Sequence, residues 1–193
     1  SGPRDFIELP SQLLEHWASE PEVLKSFAKH YETGESIPDE LIEKILKASK
    51  FNQGFINTEY LAASLLDMDW HTISYTDPLK DSNEFEKVSL EKIGLIDEIA
   101  PRYRSTYFAH IFSGGYSSGY YSYVHAAVLD SDAFEAFKEA GDVFDPELST
   151  KLRKTIYEKG ATEEAMDLFV NFRGRKPIIA PLLKVRGLDG SSG

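Results

Sequence analysis

The sequence predicts a mainly α, multi-helix, bundle-like single domain. Apolar residues recur three and four positions apart in nearly every patterned segment, which is the spacing of one helix face. Prolines and glycines stand between these segments, where helices begin and end. Only residues 70–75 alternate and are rich in β-forming residues, so at most a short β segment is expected there.

Four helices are expected in the first part of the chain. Apolar spacing after Pro10 indicates a helix at residues 11–17, and a capping-box pattern at residues 19–22 indicates a second helix that ends near Tyr31. Ser36 is expected to cap a third helix, and Gly54 separates it from a fourth helix at residues 55–68. The third helix is expected to bury one apolar stripe, formed by Leu41, Ile42, Ile45 and Leu46.

The later elements are also predicted to be helical. A helix is expected from Glu84 to Ile99, and a long helix is expected to end at Ala140, with Gly141 at its carboxyl end. Two more follow at residues 148–157 and 163–172, and prolines restrict the last element to a short turn. No repeat or linker composition appears, so residues 3–188 are assigned to one domain and residues 189–193 to a linker or appended tail.

Composition and charge limit the partners. The chain has 193 residues, 41% of them hydrophobic and 27% charged, as in soluble globular proteins. A net charge of -11 argues against a nucleic-acid partner, and no apolar run is long enough to span a membrane. The absence of cysteine excludes disulfides and thiolate metal sites, and it fits both the cytoplasm, which we predict, and the periplasm.

The most informative part of the sequence is residues 110–123, the glycine-tyrosine segment. If it were helical after Gly115, three tyrosines would share one face, namely Tyr116, Tyr120 and Tyr123. One interpretation is an aromatic helix in a core. The other is a glycine loop that approaches a ligand closely and presents phenols to it. The segment alone leaves both open.

Two acids near the start of the chain are a second candidate. Asp5 and Glu8 are three residues apart, so on a helical turn their carboxylates share a face and could serve a metal site. They could equally be first-turn acids that complement a helix dipole. No two histidines are four apart, so this sequence by itself cannot assemble a two-histidine helical zinc site.

Taken together, these two segments are specific. The stretch from Arg4 to Trp17, followed by Phe108-Ala109-His110 and the glycine-tyrosine segment, resembles the C-terminal catalytic portion of the thimet oligopeptidase and peptidyl-dipeptidase family of zinc peptidases. Residues 111–123 are most similar to the bacterial peptidyl-dipeptidase (dipeptidyl carboxypeptidase) branch. The resemblance extends from about Pro3 to Leu188.

The resemblance implies a metal side and a substrate side. On the metal side, Glu8 matches the family's third zinc ligand, and Asp5 matches an acid close to that site. The family's two zinc histidines and its general-base glutamate are expected upstream of Ser1. We therefore expect the chain alone not to retain Zn²⁺ and to be inactive, and its expected partners are an oligopeptide substrate and the part of the catalytic domain that bears His-Glu-x-x-His.

On the substrate side, the resemblance assigns roles to the glycine-tyrosine segment. It implies that His110 contacts substrate near the scissile bond and that two phenols, those of Tyr116 and Tyr123, stabilise the developing oxyanion. It also implies substrate binding by Tyr120 and by the hinge formed by Gly114 and Gly115. A tyrosine on a loop that closes over substrate can stabilise negative charge in the transition state.

One stretch departs from the family pattern. After Tyr123 the family usually has a tryptophan and a glutamate, whereas this chain has His125 and Ala127. Either this lineage differs from the family at these two positions, or they were altered because the upstream part that they contact is missing. The alternative to an enzyme segment is a non-catalytic helical interaction or scaffold module derived from the family. A further expectation is self-association through an exposed apolar face.

The remaining histidines have simpler interpretations. His16 and Trp17 are expected in packing and at the surface, and His71 is expected to be structural, within the predicted strand.

Overall fold

The computed structural model describes residues 2–190, and the mainly α prediction is confirmed. Among these residues there is no β-strand, only an isolated antiparallel bridge between Lys29 and Ser36. A 3-10 helix spans Ser105–Tyr107 and a π-helix spans Arg153–Tyr157. The α-helices are α1 (Leu9–Ser19), α2 (Pro21–Phe27), α3 (Asp39–Ala48), α4 (Gln53–His71), α5 (Ser82–Lys92), α6 (Ala109–Phe112), α7 (Ser122–Ala140), α8 (Pro146–Leu152), α9 (Ala165–Arg173) and α10 (Ala180–Val185). Of the predicted tail, residues 191–193 lie outside the described residues.

The prediction of a short strand at residues 70–75 is wrong. Helix α4 continues through Trp70 and His71, and the residues after it form turns. The indole of Trp70 packs on Phe85 with ring centroids 4.0 Å apart, and the His71 ring bonds back to Asp67 one turn earlier. These helix-compatible contacts outweigh the β preference of the sequence, because strand propensity mostly reflects packing context.

Several helix boundaries differ from the predicted ones. Helix α2 ends at Phe27, and the Ser36 hydroxyl donates to the Lys25 carbonyl instead of capping α3. Helix α5 ends at Lys92, because the next turn passes through Gly94 at a φ of 69°. Helix α7 ends at Ala140 as predicted, followed by Gly141 at a φ of 79°. A left-handed glycine ends a helix without the steric cost that a side chain would bring.

The described chain forms two compact units, and the assignment of residues 3–188 to one domain stays a prediction. Unit 1 contains the residues up to Phe51 and those from Val124 onward, and unit 2 is Asn52–Tyr123. In unit 1 the core joins α1, α7 and α9 through fully buried side chains, chiefly Leu9, Leu13, Leu129, Phe137, Leu168 and Phe169. Each such side chain contributes about 1.5–3 kcal/mol on burial.

Trp17 and His16 take the packing roles expected of them in unit 1. Trp17 packs edge-on against two phenylalanines of α7 and donates its indole N–H to the Val143 carbonyl at 2.7 Å. His16 stacks on Phe134 at 4.9 Å, and its Nε2 lies 2.6 Å from the carboxylate of Asp130.

A second buried carboxylate in unit 1 organises the chain after α9. The Asp132 side chain is 0% exposed and accepts hydrogen bonds from Arg173, Arg175 and the backbone amide of Ile178. Burial alone would raise its pKa, but these bonds together hold the pKa of Asp132 below its ordinary value. The carboxylate therefore fixes two arginines and one backbone turn.

Unit 2 is built around α4 and an aromatic core. Phe108, Ile111 and Tyr120 pack with Ala63 of α4. The buried Glu86 of α5 accepts the Ser105 amide at 2.7 Å and pairs with Arg104, and the Trp70 indole donates to the Ser105 hydroxyl at 2.9 Å. These bonds hold the 3-10 helix that precedes α6.

Not all of the apolar stripe predicted for α3 is buried. Ile42 is 2% exposed, whereas Leu41 is 47% and Ile45 is 46% exposed. Apolar side chains of α4 are exposed to a similar extent, for example Leu61 and Leu65. Self-association through such a face stays a prediction. In the described range, no helix has both the length and the apolar character needed to cross a bilayer.

We predict that Asp132→Asn destabilises the protein by about 3 kcal/mol, because it removes the buried negative charge that compensates Arg173 and Arg175. Urea unfolding at pH 7 measures this. The matched control is Glu135→Gln on the same helix, whose partner Lys184 is 63% exposed. It should cost less than about 1 kcal/mol.

The pH dependence of the stability difference between wild type and Asp132→Asn provides a second test. The pKa of Asp132 is lowered by folding, so its contribution is present above the ordinary carboxyl range and is lost as pH falls below about 4. The stability difference between wild type and Asp132→Asn should therefore shrink between pH 7 and pH 3. A constant difference would contradict the assignment.

Candidate active site

The glycine-tyrosine segment is mostly a loop. Helix α6 ends at Phe112, residues between it and Ser122 form turns, and only Tyr123 of the three tyrosines lies in a helix. The helical arrangement considered for Tyr116 and Tyr120 is therefore wrong. Gly115 at a φ of 81° turns the chain back, so that the Tyr116 amide donates to the His110 carbonyl at 2.9 Å. Such a φ favours glycine.

The loop nevertheless brings the predicted residues of unit 2 together. The ring of His110 lies 6.1 Å from Tyr116, 5.6 Å from Tyr120 and 6.4 Å from Tyr123, measured between centroids. Tyr116 and Tyr123 stack at 5.2 Å. The imidazole and the phenols therefore form one cluster, although the helical spacing that suggested it is absent.

The three tyrosines differ in exposure. Tyr116 and Tyr123 are half-buried, whereas Tyr120 is 2% exposed and belongs to the core of unit 2. Burial raises the pKa of Tyr120 to about 12, with a smaller opposing effect from the Arg102 guanidinium. The Tyr120 phenol is therefore protonated throughout the neutral range. Its substrate-binding role stays a prediction.

Two aromatic residues that the sequence did not single out complete the cluster. Tyr60 of α4 stacks on Tyr120 at 4.9 Å and donates its hydroxyl to the Tyr120 carbonyl at 3.2 Å. Burial raises the pKa of Tyr60 well above its ordinary value. Tyr103 lies 4.9 Å from His110, between centroids. Only their aromatic character could have indicated them.

The hinge glycines have different physical requirements. A Cβ atom on Gly114 would come within 2.9 Å of both the Cα and the carbonyl oxygen of His110. Gly115 is required instead by its positive φ. Gly114 thus lets the loop pass directly against the backbone that carries the imidazole.

Asp67 of α4 is a further residue that sequence reasoning missed. Its carboxylate is fully buried and accepts the amides of Ser118 and Tyr120 at 3.0 and 2.9 Å. Ser118 has a φ of 52°, a conformation that costs a residue with a side chain roughly 1–2 kcal/mol. Any residue can provide a backbone amide, so the sequence does not reveal these partners of Asp67. The only available signal for the role of Asp67 was its four-residue spacing from His71.

The acidic candidates belong to unit 1. Asp5 and Glu8 are half-buried and lie in the turn that precedes α1. Glu8 is the N-cap residue of α1, and its carboxylate accepts the Ser11 hydroxyl at 3.2 Å. Among the described residues, no group of three metal-binding side chains is close enough together to hold an ion. The metal roles of Glu8 and Asp5 stay predictions.

Comparison with known proteins adds independent information. The model of peptidase family M3 matches residues 1–188. The chain is 43% identical over 188 residues to dipeptidyl carboxypeptidase of Escherichia coli, covering 97% of this chain and 28% of that protein. It is 38% identical over 193 residues to oligopeptidase A of Escherichia coli, covering 97% and 28% respectively.

A plant relative shows the same relationship. Organellar oligopeptidase A of Arabidopsis thaliana is 39% identical over 195 residues, covering 97% of this chain and 24% of that protein. The chain thus spans about a quarter of the length of the curated relatives it matches. Because the family model matches nearly the whole chain, the chain belongs to peptidase family M3, the zinc-dependent thimet oligopeptidase and peptidyl-dipeptidase family that its two motifs resemble.

Proposed function

We propose that this chain is the C-terminal catalytic-domain segment of a zinc-dependent oligopeptidase of the peptidyl-dipeptidase type, which releases C-terminal dipeptides from oligopeptides. The observation that carries the proposal is the cluster of His110, Tyr116 and Tyr123 on a glycine loop, in a chain that belongs to family M3. The chain's 43% identity to a dipeptidyl carboxypeptidase supports the dipeptide-releasing type.

In this proposal His110 and the two half-buried phenols form the substrate-side wall. The hydroxyls of Tyr116 and Tyr123 donate hydrogen bonds to the oxygen that becomes negatively charged when the peptide carbonyl is attacked. The His110 imidazole hydrogen-bonds the substrate backbone next to the scissile bond. Tyr120, which is buried and holds its proton at neutral pH, supports the stacked rings from the core of unit 2, and its role in substrate binding stays a prediction.

Glu8 is proposed to contribute one carboxylate to the zinc of the intact catalytic domain, with Asp5 close to that site. The described residues provide no complete set of ligands, so the proposed role of this chain is limited to the carboxylate and to the substrate-side wall. The other two ligands and the general base are proposed to come from the part of the domain that bears His-Glu-x-x-His. We propose a cytoplasmic location, and one relative is named a probable cytosolic oligopeptidase A.

The second candidate function is a non-catalytic helical interaction or scaffold module. The observation that favours it is the replacement of the family's usual tryptophan and glutamate by His125 and Ala127. Ala127 is 6% exposed in α7, so the exchange of a carboxylate for a methyl group there affects a buried position.

A graft into a relative distinguishes the two functions. The matching stretch of Escherichia coli dipeptidyl carboxypeptidase is replaced by this chain, and release of C-terminal dipeptides from an oligopeptide is followed by chromatography. We predict an active hybrid in which Tyr116→Phe lowers kcat by about 10²- to 10³-fold, because one oxyanion donor is lost. Glu8→Gln should abolish activity and zinc retention together. A folded hybrid without activity supports the scaffold function.

For the chain by itself, we predict no peptide hydrolysis and no stoichiometric zinc, because one carboxylate is a weak ligand set. Elemental analysis after dialysis and a peptide-cleavage assay measure these outcomes. One tightly held zinc per chain, or hydrolysis abolished by a chelator, would show the prediction to be wrong.

The hinge glycine provides a further prediction. Gly114→Ala in the hybrid should lower kcat by about 10²-fold, because the added Cβ displaces the His110 backbone and a small displacement of a catalytic group has an effect of that size. The matched control is Gly54→Ala, where an added Cβ meets no atom within 4 Å. That variant should retain full activity, and equal effects of the two substitutions would argue against a role for the hinge.

A further inference from the structure

The carboxylate of Asp67 connects a regular helix to the glycine-tyrosine segment. Asp67 lies in the last two turns of α4 and is 0% exposed. Its Oδ1 accepts the amide of Ser118 at 3.0 Å, and its Oδ2 accepts the amide of Tyr120 at 2.9 Å. Each oxygen thus holds one peptide unit of the turn between Tyr116 and α7. Bonds of this kind between a carboxylate and amides are stronger than neutral ones.

His71 completes this arrangement one helical turn later. Its Nδ1 lies 2.8 Å from Oδ1 of Asp67 and 2.9 Å from the Asp67 backbone carbonyl. Both of those atoms are acceptors, so Nδ1 carries the proton and donates. The imidazole N–H therefore fixes the carboxylate in the orientation that both amides require.

The turn in question is the one that holds Tyr116. The Gly119 amide donates to the Tyr116 carbonyl at 2.8 Å, while the Tyr116 amide donates to the His110 carbonyl at 2.9 Å. Tyr116 is therefore held between the backbone of His110 on one side and the turn bound by Asp67 on the other. If Asp67 no longer held the turn, one of these two restraints on Tyr116 would be lost.

We propose that Asp67, oriented by His71, is a positioning residue that holds Tyr116 and Tyr120 in register with His110. Neither side chain touches substrate in this proposal, and both act through the turn. The inference rests on the proposed function of the glycine-tyrosine segment. It explains why a carboxylate is buried under that segment and why Ser118 is kept in a left-handed conformation.

The first test is the kinetics of the active hybrid described above. Asp67→Asn should lower kcat by about 10- to 100-fold with KM little changed, because the side-chain amide can accept only one of the two backbone N–H groups. His71→Ala should lower kcat in the same direction, and His71→Asn should restore most of it, because its amide nitrogen can replace Nδ1. Asp69→Asn is the matched control: its carboxylate lies on the same helix but binds Ser89 and Lys92, not the turn, so the variant should retain wild-type kcat.

The second test needs no catalysis and uses the chain itself. Hydrogen exchange of the Ser118 and Tyr120 amides, followed by NMR, should be about tenfold faster or more in Asp67→Asn and in His71→Ala, with amides of α9 unchanged. If Asp67→Asn does not fold, His71→Ala and His71→Asn decide the question.

The outcomes separate the inference from the proposed function. An inactive wild-type hybrid counts against the proposed function, even if hydrogen exchange confirms that Asp67 holds the Ser118 and Tyr120 amides. An active hybrid in which Asp67→Asn keeps its kcat, or unchanged exchange at both amides, overturns the inference. A parallel fall in kcat and in thermal stability that His71→Asn does not reverse would assign Asp67 to structure alone.

Discussion

A carboxylate that is buried away from water requires hydrogen-bond donors, and this requirement determines local structure in both units of the protein. Four buried acids meet it in similar ways, namely Asp67, Glu86, Asp130 and Asp132. Asp67 and Asp132 bind backbone amides outside the helices, Glu86 binds the first amide of the 3-10 helix, and Asp130 binds the side chains of Gln12 and His16. A chain with a net charge of -11 thus uses part of its acidic content internally, to hold backbone and side chains in place.

In unit 2 this requirement acts on both sides of His110. Glu86 binds the Ser105 amide before it, and Asp67 binds the Ser118 and Tyr120 amides after it. The segment between these points is neither strand nor long helix, yet its rings stack at fixed distances. Groups that stabilise a transition state must be in place before the reaction, and a loop held from two regular helices satisfies that condition.

The sequence predicted what depends on local patterns. Helical periodicity and the glycine after α7 were sufficient for most elements, and the two motifs together indicated the family. It did not predict the end of α4, because the ring contacts of Trp70 and His71 override their β preference. The exposure of Leu41 was missed because periodicity shows which side of a helix is apolar but not what covers it. The role of Asp67 was missed because its partners are backbone amides.

The division of unit 1 into two separate stretches of sequence has a consequence for its synthesis. Leu9 and Leu13 precede unit 2 in the sequence, whereas the α7 and α9 side chains that pack with them follow it, so this core can close only after the whole of unit 2 has been synthesised. Unit 2 can form before that point, from contacts within its own stretch. A core that must wait for a distant stretch of sequence leaves apolar side chains without their native partners in the meantime, and partly folded chains of that kind are prone to aggregation.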